Sequence, residues 1–235
     1  MAEIYLIRHG QASFGQANYD KLSELGREQS RLLGQFMQGP FKQGNRPTHL
    51  VCGALVRHQE TLEGWLEGMG NDLNLPVIQN TAFNEFDHEN VLEVAFPEFA
   101  DKKVLTHHVM QSGDPKKAFH RLYEAAVDRW ISGQHDQEYI ESFSAFKTRC
   151  IEGIEGIVAD AQSGQRYFIF TSGGPIGMCL KWAMQLTDQV AFSQNAMLVN
   201  SGVTKLVSNS AGECTVSYFN NYAHLQHESS LISYR

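Results

Sequence analysis

The chain of 235 residues has no apolar run long enough to cross a bilayer, so a membrane-spanning helix is not expected. Its first hydrophobic stretch is short and ends at Arg8, without the basic and small-residue regions of a secretory signal. Cysteine is scarce. Cys52, Cys150, Cys179 and Cys214 lie far apart with no metal-type spacing, which fits free thiols in a reducing cytoplasm and argues against a zinc site. Basic residues are in the minority, 19 against 26 acidic, and the net charge of −7 argues against nucleic-acid or anionic-membrane partners. It leaves a phosphorylated small molecule open, because local arginines decide that. There are no repeats, low-complexity tracts or linkers. The ten histidines show no i, i+4 pairing on one face, and His107-His108 points in two directions on any regular element, so no metal cofactor is expected.

The hydrophobic content, 42%, is enough for a sizeable core in one α/β domain spanning 1–235. Glu3–Ile7 is short, β-branched and aromatic and predicts a buried strand. Ser23 reads as a helix N-cap, followed by Leu25, Gln29, Leu32, Leu33 and Phe36 at helical spacing, with Gly39-Pro40 expected to end the run. Leu50–Cys52 and Phe168–Thr171 predict further strands, each leading into a helix: Leu55–Met69 and Ile176–Leu186. Thr81–Phe86 reads as a third extended segment carrying Glu85. Phe143, Phe146, Cys150, Ile154 and Ile157 form one helical stripe, in which Gly153 and Gly156 would permit close packing. Val203–Val207 and Cys214–Phe219 read as a hairpin. This alternation predicts a three-layer α/β sandwich: a mostly parallel sheet with helices on both faces. Residues 87–140 belong to none of the strands, and their clearest helix is Pro115–Ile131.

Active sites of open α/β sheets lie beyond the carboxyl ends of the strands, where Arg8-His9-Gly10 stands. A guanidinium beside an imidazole suits holding a phosphate while a neutral ring nitrogen attacks it. Taken singly, each candidate also has a plain structural reading: Arg8 and His9 before a surface turn, Arg57 on an exposed helix face, Glu85 as a solvated loop acid. Their order along the chain carries more information. Arg8-His9-Gly10, Leu22–Gln29, Arg57 in Leu55–Thr61, Glu85, Glu141–Phe143, Thr171–Pro175 and Asn221–Leu225 together resemble the histidine phosphatase superfamily, the phosphoglycerate-mutase-like enzymes.

That resemblance implies His9 as nucleophile, attacking while its other ring nitrogen is held by a backbone carbonyl. It implies Arg8 and Arg57 as phosphate clamps, and Glu85 as the acid that protonates the leaving group and then activates water. Serving as acid needs a raised pKa, which desolvation by Phe83 and Phe86 would favour. No cofactor is implied, and 87–140 becomes a helical lid over the site. The largest departure from the pattern is Ser172, opening Ser172-Gly173-Gly174, which stands where relatives usually carry a second histidine that donates to the phosphoryl group. The Ser172 hydroxyl and the Gly173 amide at a helix N-terminus are candidate substrate binders in its place. A missing donor would cost about 3 kcal/mol, so either the phosphatase is slow or His88, His108 or His224 supplies the donor, and Ser172→His would raise turnover. Ala12 and Gly15 stand where relatives often carry threonine and asparagine. Three functions follow: a metal-independent phosphomonoesterase on a small phosphorylated metabolite, a phosphoglycerate-type mutase, or a non-catalytic phosphate-ligand sensor. Monomer and homodimer are both open.

Overall fold

A computed structural model describes residues 1–13, 20–42, 44–70 and 73–234. Gly15 lies outside the described residues. Among the described residues six strands form one sheet: β1 (Ala2–Arg8), β2 (His49–Cys52), β3 (Val77–Gln79), β4 (Arg166–Thr171), β5 (Val203–Ser208) and β6 (Cys214–Asn221), in the order β3-β2-β4-β1-β5-β6. β1 to β4 are mutually parallel, and the β5–β6 hairpin adds two antiparallel strands at one edge. Register decides where the site falls. Arg8 pairs with Thr171, while Ile7 and Cys52 both pair with Phe170. His9, Gly53 and Ser172 therefore emerge together from the carboxyl edge of three adjacent strands.

Among the described residues there are eight α-helices: α1 (Glu24–Lys42), α2 (Val56–Gly68), α3 (His88–Ala95), α4 (Lys102–Met110), α5 (Pro115–Ile131), α6 (Phe143–Asp160), α7 (Gly173–Met184) and α8 (Asp188–Ser193). Alternate strand residues feed two cores. Ile4, Leu6, Val51 and Ile169 pack with Ile154, Val158, Ile176 and Cys179 of α6 and α7. On the opposite face Ile7, Leu50, Phe168 and Phe170 pack with Leu33, Met37, Phe41, Leu62 and Trp65 of α1 and α2. Each fully buried large side chain contributes about 1.5–3 kcal/mol.

Two sequence expectations need correction. Helix α1 begins behind the Ser23 cap, whose Oγ accepts from Gly26 N at 3.0 Å, but runs through Gly39-Pro40 to Lys42. Phe41 explains why: it is buried edge-on against Trp65 and Phe168, at 6.0 and 5.6 Å between ring centroids, and that burial offsets the amide lost at Pro40. Second, the third strand is Val77–Gln79, and Thr81–Phe83 is a 3-10 turn capped by the Asn80 side chain. Of the two α6 glycines, a Cβ on Gly153 would lie 2.7 Å from Ala82 Cβ, whereas Gly156 faces open space.

The chain divides into two compact units, Met1–Glu85 with Cys150–Arg235, and Phe86–Arg149. The second unit has its own centre, where Trp130 stacks on Phe86 at 4.7 Å and meets Phe143 at 5.1 Å. The Glu141 carboxylate receives Arg149 Nε and Nη2 at 2.6 and 2.9 Å.

Candidate active site

The first unit assembles the site from the ends of β1, β2 and β4. His9 is only 7% exposed. Its amide donates to Thr171 O at 2.8 Å, and its carbonyl accepts from Ser201 N and Asn200 Nδ2, both at 3.2 Å. Ser201 holds φ at 58°, a left-handed conformation a non-glycine residue adopts only when its surroundings impose it. The imidazole Nδ1 lies 2.7 Å from Gly10 O, so Nδ1 carries the proton and Nε2 the lone pair. Burial, then the charges of Arg57 and Arg8, then His58, hold the His9 pKa well below its ordinary value, and the ring is neutral.

Gly10 is indispensable to that ring's support. A Cβ there would lie 2.8 and 2.9 Å from Gly26 C and Cα, and closer still to Gly26 O. Gly10 N also donates to Thr61 Oγ1 at 3.0 Å, and Thr61 Oγ1 donates to Arg57 O at 2.6 Å, tying the β1 turn to the first turn of α2.

Arg57 is 8% exposed, not directed into bulk water. Its Nη1 lies 2.7 Å from Asp20 Oδ1, and Asp20 Oδ2 accepts from Val56 N at 2.8 Å. Arg8 Nη1 donates to the carbonyls of Leu198 and Tyr234. The charges of both guanidinium groups lower the His9 pKa. Glu85 Oε2 accepts from Gly174 N at 3.2 Å, placing its carboxylate at the N-terminus of α7. The neighbouring turn is fixed by Thr171 Oγ1 donating to Phe83 O at 2.6 Å, and by Ala54 N donating to Asn84 Oδ1 at 2.6 Å. Gly173 is buried, and a Cβ there would stand 2.7 Å from Asn195 Cγ.

The histidine phosphatase superfamily (branch 1) model matches residues 4–221. The chain belongs to the histidine phosphatase superfamily. Curated protein sequences provide no significant match. Among solved structures, a putative alpha-ribazole-5'-P phosphatase from Escherichia coli is similar with a TM-score of 0.64 and 18% identity, over 94% of this chain and 98% of that one. A phosphoglycerate mutase from Bacillus anthracis gives 0.62 and 18%, over 96% and 95%. A mycobacterial glucosyl-3-phosphoglycerate phosphatase with inorganic phosphate gives 0.61 and 20%, over 94% and 98%.

In this member of the histidine phosphatase superfamily, the surroundings of Ser172 were not foreseeable from local sequence. Ser172 Oγ lies 2.6 Å from Nε2 of His58, and the His58 and His9 ring centroids are 5.9 Å apart. Ser172 and His58 are both fully enclosed, and burial followed by the charge of Arg57 keeps His58 neutral. A larger side chain at 172 that kept the direction of Ser172 Oγ would meet His58 Nε2. His224 Nε2 is engaged by Ser201 Oγ at 2.7 Å, and His88 and His108 belong to the second unit. The signal for His58 was present: with Thr61, Leu62 and Trp65 it falls on the buried face of α2. Ala12 is buried and bridges to Leu22. Among the described residues, no three His, Cys, Asp or Glu side chains group so as to hold a metal ion.

Proposed function

We propose that the chain is a metal-independent phosphomonoesterase that works through phosphorylated His9. What carries this reading is the state of His9: buried and neutral, with Nδ1 pinned to Gly10 O and Nε2 left as the attacking atom. Nε2 forms a bond to phosphorus as the ester P–O bond breaks, and Glu85 protonates the departing alkoxide. Glu85 then takes a proton from water, whose oxygen attacks phosphorus and releases His9 with inorganic phosphate. Arg57 and Arg8 neutralise the non-bridging oxygens. Two similar structures are named as phosphatases of small phosphorylated metabolites, and a substrate of that class fits a site walled by arginines in an otherwise acidic chain. Four free cysteines fit a reducing compartment such as the cytoplasm, and among the described residues no helix is long and apolar enough to cross a membrane.

Hydrolysis of p-nitrophenyl phosphate with EDTA present tests the reading. Wild type is expected to turn over and His9→Ala to lose activity. Equal inactivity with phosphate still bound would make the protein a sensor. Isomerised phosphoglycerate without free phosphate would make it a mutase.

A further inference from the structure

The pair formed by Ser172 and His58 joins two side chains 114 positions apart at the edge where His9 emerges. Among the described residues His58 Nε2 is the one partner of Ser172 Oγ, and His58 Nδ1 has none. A neutral imidazole has one N–H. If Ser172 donates to Nε2, that N–H sits on Nδ1 as a buried donor with no acceptor, and an anion arriving beside Ser172 would not relieve it. If Nε2–H donates instead, Nδ1 is an unpaired acceptor against Gly53, and the Ser172 hydroxyl proton is left without an acceptor in the protein. Gly53 makes this placement possible: a Cβ there would collide with Nδ1, lie 2.8 Å from His58 Cε1 and 3.0 Å from Phe83 O.

In this second arrangement a polarised hydroxyl donor stands at the start of α7, one residue beyond the Thr171 carbonyl that holds the His9 amide, and an oxyanion that accepts from it leaves the Nδ1 acceptor as the remaining, milder defect. An oxyanion attacked by His9 is an acceptor of the kind this hydroxyl lacks. Ser172 and His58 are both enclosed in the ligand-free chain, so the phosphoryl oxygen must enter beside Ser172 for the bond to form.

We infer that His58 is a positioning residue, which holds Ser172 through Nε2–H and turns its hydroxyl toward a phosphoryl oxygen during transfer to His9. This rests on the phospho-His9 reading above. No proton changes owner: His58 donates to Ser172, and Ser172 donates to the oxygen on which negative charge grows.

The experiment is quench-flow with p-nitrophenyl phosphate on wild type, Ser172→Ala, His58→Leu, His58→Gln and the double variant Ser172→Ala/His58→Leu. Losing one oxyanion donor is expected to slow His9 phosphorylation and kcat about a hundred- to a thousandfold for Ser172→Ala, with KM changed less than about threefold. His58→Leu should lose a similar factor and His58→Gln, which keeps an N–H, should recover about tenfold of it. The double variant should be no slower than Ser172→Ala, because His58 acts through Ser172. Gly53→Ala, which displaces His58 without removing it, should resemble His58→Leu. Ser172→Ala deletes one atom and keeps the test alive where His58→Leu fails to fold. Wild-type phosphorylation rates in Ser172→Ala, losses that multiply in the double variant, or acid-stable phosphate on Ser172 would each overturn the relay. If wild type itself forms no phosphohistidine, the phosphatase reading fails first.

Discussion

Replacing Gly10 with alanine separates the support of His9 from the chemistry of His9. The new Cβ would stand 2.8 Å from Gly26 C and 2.9 Å from Gly26 Cα, and closer to Gly26 O. Carbon atoms not bonded to one another pack at about 3.5–4.0 Å, so relief needs a movement of roughly 1 Å. Everything in the way is backbone: the β1 turn on one side and the first turn of α1 on the other. Gly26 cannot retreat freely, since its own Cβ position is 2.7 Å from Gln11 N. Overpacking of this kind costs about 1–3 kcal/mol, which for a chain of this size lowers the melting temperature by roughly 2–12 °C. Gly10 must shift, and Gly10 O is what fixes His9 Nδ1. A displacement near 1 Å at a catalytic group costs about a hundredfold in rate. Gly156→Ala is the control: that exposed glycine in α6 has open space around its Cβ position, so helix propensity alone applies and stability should rise by about 0.5–1 kcal/mol. Calorimetry and p-nitrophenyl phosphate turnover on both variants decide it. Gly10→Ala melting and turning over like wild type would show that the Gly10–Gly26 contact does not hold the site.

The remaining predictions are smaller in scope. Asp20→Asn weakens the 2.7 Å pairing to Arg57 Nη1 and should lower kcat/KM about tenfold, the size of one charge-assisted hydrogen bond; an unchanged value would mean Arg57 is positioned by other contacts. Gln29, fully buried, accepts from Gln11 N and donates to Leu231 O and Ser233 Oγ, so Gln29→Ala should cost about 2–4 kcal/mol in urea unfolding. Burial lowers the His224 pKa from 6.5 to about 4, so the unfolded chain binds a proton that the folded chain refuses. Its stabilising share is full above pH 6.5 and is lost as pH falls toward about 4, roughly 3 kcal/mol in all. His9 and His58 act with the same sign. Urea midpoints between pH 7 and 4 measure it, and a His224→Gln variant whose midpoints fall as steeply would remove His224 from the explanation.

Elements whose ends are marked by local chemistry were legible in the sequence. Helix α5 begins at Pro115 behind the Asp114 cap, whose carboxylate accepts from Lys117 N, and it ends at Ile131 as read. The strand ends carrying Arg8 and Thr171 were equally plain, because each apolar run stops abruptly at a polar residue. What failed was the reading of local signals that distant packing overrules. Gly39-Pro40 looked like a stop, yet Phe41 finds Trp65 and Phe168 and the helix continues. Val77–Gln79 is an exposed edge strand without hydrophobic alternation to announce it. The burial of His58 was readable from the apolar face of α2, but its role was hidden for a related reason. Its meaning depends on Ser172, and no local pattern links residues 114 positions apart.

The most direct test is to trap the phosphorylated protein and determine by phosphorus and nitrogen NMR which atom holds the phosphoryl group. With Nδ1 tied to Gly10 O, the expected product is an acid-labile phosphoramidate at Nε2 of His9. Phosphate on Nδ1, on Ser172, or on no residue of a protein that still hydrolyses phosphoesters would contradict it.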